Sequence, residues 1–98
     1  MKFQWDETKA ETNWRKHKIR FEAAVRVFLD PFALTEHDRI EGDEYRYPTL
    51  DLIDGTTILL VAHVDWEEDG VEIVRLISAR EATPSEMRRY GKNRYLLS

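Results

Sequence analysis

The sequence predicts an α+β protein in which two N-terminal helices and one C-terminal helix pack on one twisted, mainly antiparallel sheet. The first observation is a pair of apolar, β-branched runs at residues 57–64 and 71–80, separated by an acidic segment that ends in glycine. The second is the helical spacing of apolar residues before residue 30, and the third is a capping motif at Thr83. A chain of 98 residues has room for one domain, which we place over residues 1–98.

The first part of the chain predicts a short strand followed by two helices. Phe3–Trp5 alternates apolar and polar residues, as a strand does. A helix is expected over Lys9–His17, with a capping box formed by Thr8 and Glu11. The second helix ends at Asp30-Pro31, because the residue before a proline is disfavoured in a helix. Its expected apolar face consists of Phe21, Ala24, Val25 and Phe28.

The middle of the chain predicts strands joined by turns. The expected order is a short strand at 32–35, a polar loop at 37–43, a strand at 44–53, a hairpin turn at Asp54-Gly55, a strand at 57–64, an acidic loop at 65–70 and a strand at 71–80. Alternation along the last strand places Ile73, Arg75, Ile77 and Ala79 on one face and Val74, Leu76 and Ser78 on the other.

The C-terminal helix has the clearest start signal in the chain. Thr83 is the expected cap, Pro84 takes the first helical position, and Glu86 completes a capping box. Residues 92–98 are expected to form a tail.

Composition and charge exclude several classes of function. The chain has no cysteine, which excludes disulfides, cysteine-ligated zinc and thiol catalysis. Neither a signal peptide nor an apolar run of about 20 residues is evident, so we expect a cytoplasmic protein without a membrane contact. The net charge of −4 is uneven: residues 1–30 carry +2, residues 31–74 carry −10 and residues 75–98 carry +4. If the two basic ends meet, they form a positive patch on an acidic protein.

The junction between the last strand and the last helix is the strongest candidate site. Arg80 lies where the strand stops, and Arg89 and Tyr90 follow on the helix. Guanidinium groups gathered there can hold a phosphate and stabilise developing charge. The alternative is that Arg80 and Glu86 form a structural ion pair and that Tyr90 fills the core. The residues alone leave both readings open.

The first helix is a second candidate surface. Lys9, Asn13 and His17 recur every four residues and therefore stack along one face, where they can bind phosphate and move protons. The basic run Trp14–Arg20 is compatible with nucleic acid binding, and equally with an ordinary solvated helix end. Glu44 and Arg46 can form a cross-strand salt bridge or belong to the site. No metal site is expected, because His17, His37 and His63 lack ligand spacing.

Taken together, these residues resemble the BrnT family of bacterial type II toxins. The similarity runs in order along nearly the whole chain. The matching positions are Phe3, Trp5, Asp6, Lys9, Asn13, Lys16, His17, Phe21, Glu22, Ala24, Val27, Phe28, Asp30, Glu44, Arg46, Ile77 to Arg80, Ala82, Thr83, Glu86 and Tyr90. One departure is Lys18, which stands where this family usually has a small turn residue.

The resemblance implies a fold similar to RelE-type ribonucleases and an endoribonuclease that cleaves RNA and halts growth, and our first hypothesis is that it does so without metal or cofactor. It also implies a BrnA-like ribbon-helix-helix antitoxin, which forms a hetero-oligomer with the toxin, contacts operator DNA and represses the operon. On this hypothesis Arg80 holds the scissile phosphate, and His17 or Tyr90 moves protons. The RNA-binding candidates are Lys9, Asn13, Lys16, Arg46, Arg75 and Arg89. The alternative hypothesis, favoured by the acidic middle segment, is a non-catalytic co-repressor that binds the antitoxin.

Overall fold

One twisted sheet forms the centre of the molecule, and its strands are mainly antiparallel. The computed structural model describes the backbone of residues 1–36, 39–41 and 44–97 and the side chains of residues 1–36 and 46–92. The strands are β1 (Lys2–Gln4), β2 (Leu34–Thr35), β3 (Arg39–Glu41), β4 (Glu44–Ile53), β5 (Thr57–Glu68) and β6 (Val71–Glu81). The spatial order is β1-β6-β5-β4-β2, with β3 paired to the start of β4, and β1 runs parallel to β6.

Helices precede and follow the strands as the sequence predicts. They are α1 (Glu7–His17), α2 (Phe21–Ala24), a 3₁₀ helix (Val25–Leu29) and α3 (Pro84–Leu97). The expected Thr8–Glu11 capping box is wrong, because α1 begins earlier and the Asp6 carboxylate accepts from the backbone N–H of Thr8 at 2.7 Å. No helix in the described part of the chain is long and apolar enough to cross a bilayer.

The second predicted helix is present as one turn of α helix followed by a 3₁₀ helix. A 3₁₀ helix has three residues per turn, so its buried positions recur every third residue. Phe21, Ala24 and Val27 are accordingly the fully buried residues, whereas Val25 and Phe28 are only half-buried. The helix stops before Asp30, whose backbone is extended, as the following proline requires.

The last two long strands extend further than the sequence indicates. The predicted acidic loop at 65–70 is largely strand: β5 continues to Glu68, and only Asp69 and Gly70 form the turn, both with positive φ. In the predicted polar loop at 37–43, residues 39–41 form β3, while residues 37, 38, 42 and 43 lie outside the described residues. The predicted tail at 92–98 is also wrong, because α3 runs to Leu97.

Two apolar clusters cover the two faces of the sheet. The larger cluster joins the N-terminal helices to the sheet and contains Phe21, Ala24, Val27, Leu59, Val61, Val74, Leu76 and Ala79. The smaller cluster lies under α3 and contains Leu50, Leu60, Ala82 and Tyr90. The sheet is therefore buried by helices on both faces, which leaves the ends of α1 and α3 to flank the strand β6.

Candidate RNA-binding groove

A β-bulge in β6 shapes the candidate site. Ala62 pairs with Ser78, but the next residue, His63, pairs with Leu76, so Ile77 is an extra residue in β6. The extra residue reverses the alternation, and Ala79 rejoins Leu76 in the larger core cluster. The predicted faces of β6 are therefore wrong beyond Leu76, because alternation cannot anticipate an inserted residue.

The bulge places Ile77 and Ser78 together at the floor of a groove. One cavity, of about 480 Å³, lies beside the start of α3 and contains Arg46, Arg80 and Arg89. A second, of about 340 Å³, lies along α1 and contains Lys9, Lys16 and His17. Arg46, Ile77 and Ser78 line both cavities, so the two adjoin, and together they are called the groove below.

The groove carries positive charge on an acidic protein. Among the residues whose side chains the structure describes, five cations and two carboxylates line it, a formal charge of +3, although the chain has a net charge of −4. The cations are Lys9, Lys16, Arg46, Arg80 and Arg89, and the carboxylates are Glu36 and Glu86. Lys9 and Lys16 from one basic end thus lie near Arg80 and Arg89 from the other, and Arg46 comes from the acidic middle segment. Glu36 and Ser78 were not candidates from the sequence. Glu36 reaches the groove because β2 pairs with β4, and Ser78 does so because of the bulge, and no local sequence pattern predicts either feature.

Arg80 is held by the carboxylate that also caps α3. Its two terminal nitrogens donate to the two Glu86 carboxylate oxygens at 2.8 and 3.0 Å, and one of them also donates to the Glu81 carbonyl oxygen. The Arg80 guanidinium is the main reason that the pKa of Glu86 is lowered to about 2, and that pair in turn raises the pKa of Arg80. Three of the five guanidinium N–H donors are thus engaged by described partners. The structural ion pair that the sequence left open is present, and it fixes Arg80 at the edge of the groove.

Asn13 lines the groove, but its side chain also connects α1 to the sheet by hydrogen bonds. Its side-chain amide donates to the carbonyl oxygens of Ile19 and Ala79, both at 2.9 Å, and accepts from the Ala79 backbone N–H at 2.9 Å. Strand β1 pairs with β6 only at Ile73 to Arg75, so Asn13 satisfies the β6 edge beyond that pairing. The residue is buried, and its amide is oriented towards the protein backbone.

His17 and Lys16 lie at the end of α1, where the helix stops abruptly. Lys18 adopts the left-handed conformation, with φ of 58°, and its N–H donates to the Trp14 carbonyl oxygen at 2.9 Å. This cap leaves the His17 side chain exposed on the groove side of the helix. The groove therefore has an imidazole at one end and the Arg80 and Arg89 guanidinium groups at the other.

Tyr90 lies outside the groove, which differs from the expectation of a catalytic role. Its side chain is 2 % exposed and packs in the smaller core cluster, and its hydroxyl donates to the Asp51 carboxylate at 3.0 Å. Burial raises the pKa of Asp51 to about 6, the Tyr90 hydrogen bond opposes that rise, and the nearby Asp30 carboxylate adds to it. Tyr90 is therefore part of the packing that holds α3 to β4.

Arg75 also lies outside the groove, and the side chain of Glu44 lies outside the described residues. The Arg75 guanidinium stacks over the Trp66 ring, 5.1 Å from its centroid, on the long β5–β6 hairpin. His63 is buried in the sheet, where its ring nitrogens lie 2.6 Å from the Thr49 hydroxyl and 2.5 Å from the Asp65 carboxylate. His37 lies outside the described residues.

Comparisons with known proteins agree with this fold. The sequence model of a family described as the ribonuclease toxin BrnT of type II toxin–antitoxin systems matches residues 5–86. The 1.1 Å crystal structure of the Brucella abortus ribonuclease toxin BrnT is similar, with a TM-score of 0.61 and 28 % identity, over 85 % of this chain and 97 % of that one. A comparison with curated proteins finds no match. The chain therefore belongs to the BrnT family of ribonuclease toxins of type II toxin–antitoxin systems.

Proposed function

We propose that this chain is itself an endoribonuclease that binds single-stranded RNA in the groove and cleaves it without a metal ion or cofactor. The observation that carries the proposal is that the two cavities adjoin at one bulged strand, because together they hold an exposed imidazole and three arginines. Phosphates lie along its cations, and RNA supplies its own nucleophile, the ribose 2′-hydroxyl.

The roles of the groove residues follow from their positions. Arg80 is oriented by Glu86 and has donors left for the scissile phosphate, where it stabilises the charge that develops as the 2′-oxygen attacks. Lys9, Lys16 and Arg46 position the flanking backbone. His17 exchanges a proton with the 2′-hydroxyl or the leaving oxygen, because an imidazole nitrogen can either accept or donate a proton. Glu86 is excluded as a proton carrier, because its pKa of about 2 keeps it ionised.

The test is cleavage of labelled single-stranded RNA by purified protein in the presence of EDTA. We expect Arg80→Ala and His17→Gln each to slow cleavage by about 100-fold or more, as the removal of a transition-state donor or a proton carrier does. The matched control is Arg75→Ala, which removes an arginine of the same strand outside the groove and is expected to retain activity within about two-fold. Full activity of folded Arg80→Ala protein would refute the proposal.

The family implies an antitoxin partner, and we propose that it is a BrnA-like ribbon-helix-helix protein in the cytoplasm. On this proposal the complex contacts operator DNA only through the antitoxin. Co-expression of a neighbouring gene of that type should restore growth and yield a complex that binds operator DNA. Growth arrest that persists during co-expression would contradict this assignment.

A second candidate function is a co-repressor without catalysis. The observation that favours it is that two groove arginines already bind carboxylates, Arg80 with Glu86 and Arg89 with Glu36. Expression without the antitoxin distinguishes the two: an endoribonuclease arrests growth, whereas a co-repressor does not.

A further inference from the structure

The two carboxylates of the groove are held in different ways. Glu86 belongs to the cap of α3: its carboxylate also accepts from the Thr83 backbone N–H at 2.8 Å, and its side chain is 12 % exposed. The Glu36 carboxylate follows β2 and is 25 % exposed, and within the described part of the chain it is bonded only to Arg89. Glu86 therefore helps to cap α3, whereas the described contacts give the Glu36 side chain no such role.

The Glu36 carboxylate is bound to the Arg89 guanidinium in the way that an anionic ligand would be. The guanidinium donates to both Glu36 oxygens, at 2.9 and 3.0 Å, across 53 residues of sequence. Arginine recognises carboxylate and phosphate with the same bidentate geometry. Because both side chains line the groove with Arg46 and Arg80, the Glu36 carboxylate occupies a position suited to a phosphate.

Hydrogen bonds hold the backbone at Glu36, whereas another anion can take the place of its side chain on Arg89. The Glu36 N–H donates to the Pro48 carbonyl oxygen at 2.9 Å, and the preceding Thr35 hydroxyl lies 2.7 Å from that of Thr49. Loss of the carboxylate contact would thus leave the strand in place. The Arg89 side chain is 45 % exposed, and a solvent-accessible ion pair contributes little to stability, so little free energy opposes the replacement of Glu36 by another anion.

We propose that Arg89 is a second phosphate subsite of the groove and that Glu36 is an internal competitor for it. The ligand is a backbone phosphate of single-stranded RNA, so the inference rests on the proposed function. An RNA that displaces Glu36 gains the Arg89 contact, and a single phosphate elsewhere on the strand gains nothing from it. Glu36 therefore lowers the affinity of the groove for an RNA whose phosphate reaches Arg89, and it does not affect anions that bind elsewhere in the groove.

Binding of a 2′-O-methyl RNA oligonucleotide, which cannot be cleaved, tests the inference by fluorescence anisotropy. We expect Glu36→Gln to bind about three- to ten-fold more tightly than the wild type at low salt. The logarithmic salt dependence should steepen by about 0.7, which corresponds to one further phosphate contact on a single strand. The matched control is Glu72→Gln, which removes an exposed carboxylate from the β5–β6 hairpin, and its gain is expected to stay under about two-fold.

A double-variant cycle separates competition for Arg89 from a general charge effect. In the Arg89→Gln background, Glu36→Gln should gain no more than the control does, since the subsite is missing. The inference is overturned if the wild type and Glu36→Gln bind the RNA equally well. It is also overturned if Glu36→Gln increases the affinity even in the Arg89→Gln background. Both results hold whether or not the protein cleaves RNA. An Arg89-dependent gain in a protein that binds but never cleaves RNA would instead overturn the endoribonuclease proposal and leave the subsite intact. Thermal unfolding of each variant confirms that the compared proteins are folded.

Discussion

Replacement of Tyr90 by phenylalanine distinguishes a core residue from a catalytic one. The tyrosine ring is buried with Leu50, Leu60 and Ala82, and its hydroxyl donates to Asp51 at 3.0 Å. The Tyr90→Phe variant keeps the ring and removes the hydrogen bond. We therefore expect RNA cleavage within about three-fold of the wild type, together with a loss of stability that depends on pH.

The magnitude follows from the charge of Asp51. Its pKa is raised, mainly by burial, from 3.8 to about 6, so the carboxylate is ionised at pH 8 and largely protonated at pH 5. A hydrogen bond to a charged acceptor contributes about 1.5–3 kcal/mol and one to a neutral acceptor about 0.5–1.5 kcal/mol. Tyr90→Phe should thus lower the free energy of unfolding by about 2 kcal/mol at pH 8 and about 1 kcal/mol at pH 5.

The wild type itself should show the underlying titration. Because the folded chain binds the Asp51 proton more tightly than the unfolded chain does, stability falls as the pH rises from 3.8 to about 6. The raised pKa corresponds to a loss of at most about 3 kcal/mol across that range. In Tyr90→Phe the pKa rises further, so the fall continues above pH 6. Asp51→Asn is the control, because its amide oxygen still accepts from Tyr90 and cannot titrate.

Urea unfolding at pH 5 and pH 8 measures both differences, and RNA cleavage is assayed at a temperature at which every variant is folded. A loss of cleavage of 100-fold or more in a variant of unchanged stability would show that Tyr90 takes part in the reaction. An equal loss of stability at the two pH values would refute the assignment of the raised pKa to Asp51.

Two further substitutions test the elements that position the groove. Asn13→Ala removes two buried hydrogen bonds to the backbone of Ala79 and one partly buried bond to that of Ile19, and it should lower the free energy of unfolding by about 2–4 kcal/mol in urea titrations. A loss of under about 0.5 kcal/mol would contradict this structural role of Asn13. Lys18→Gly places glycine at φ of 58° and should stabilise the protein by about 0.5–1 kcal/mol, with a higher unfolding midpoint. A lower midpoint would instead show that the contact of Lys18 with the Trp14 ring, at 5.6 Å, outweighs the backbone strain.

Several features were predictable because their signals are local. The Thr83–Glu86 capping box and the turn at Asp54-Gly55 depend on residues within one or two turns of chain, and the structure contains both. The apolar spacing of residues 21–28 predicted the second helix but not its 3₁₀ part. The long strand β4 has the bounds that the sequence indicates. The uneven distribution of charge is also evident from the sequence, since it is obtained by counting charged residues along the chain.

The fold class, the family and the residue types of the candidate site are all evident from the sequence. Which of those residues face the groove becomes clear only in the folded chain, because it depends on contacts between distant segments. An extra residue in β6 turns Ser78 to the groove and Ala79 to the core, a change of face that alternation cannot show. Tyr90 is in the core because α3 packs on β4, 39 residues earlier in the chain, and Glu36 reaches Arg89 across 53 residues.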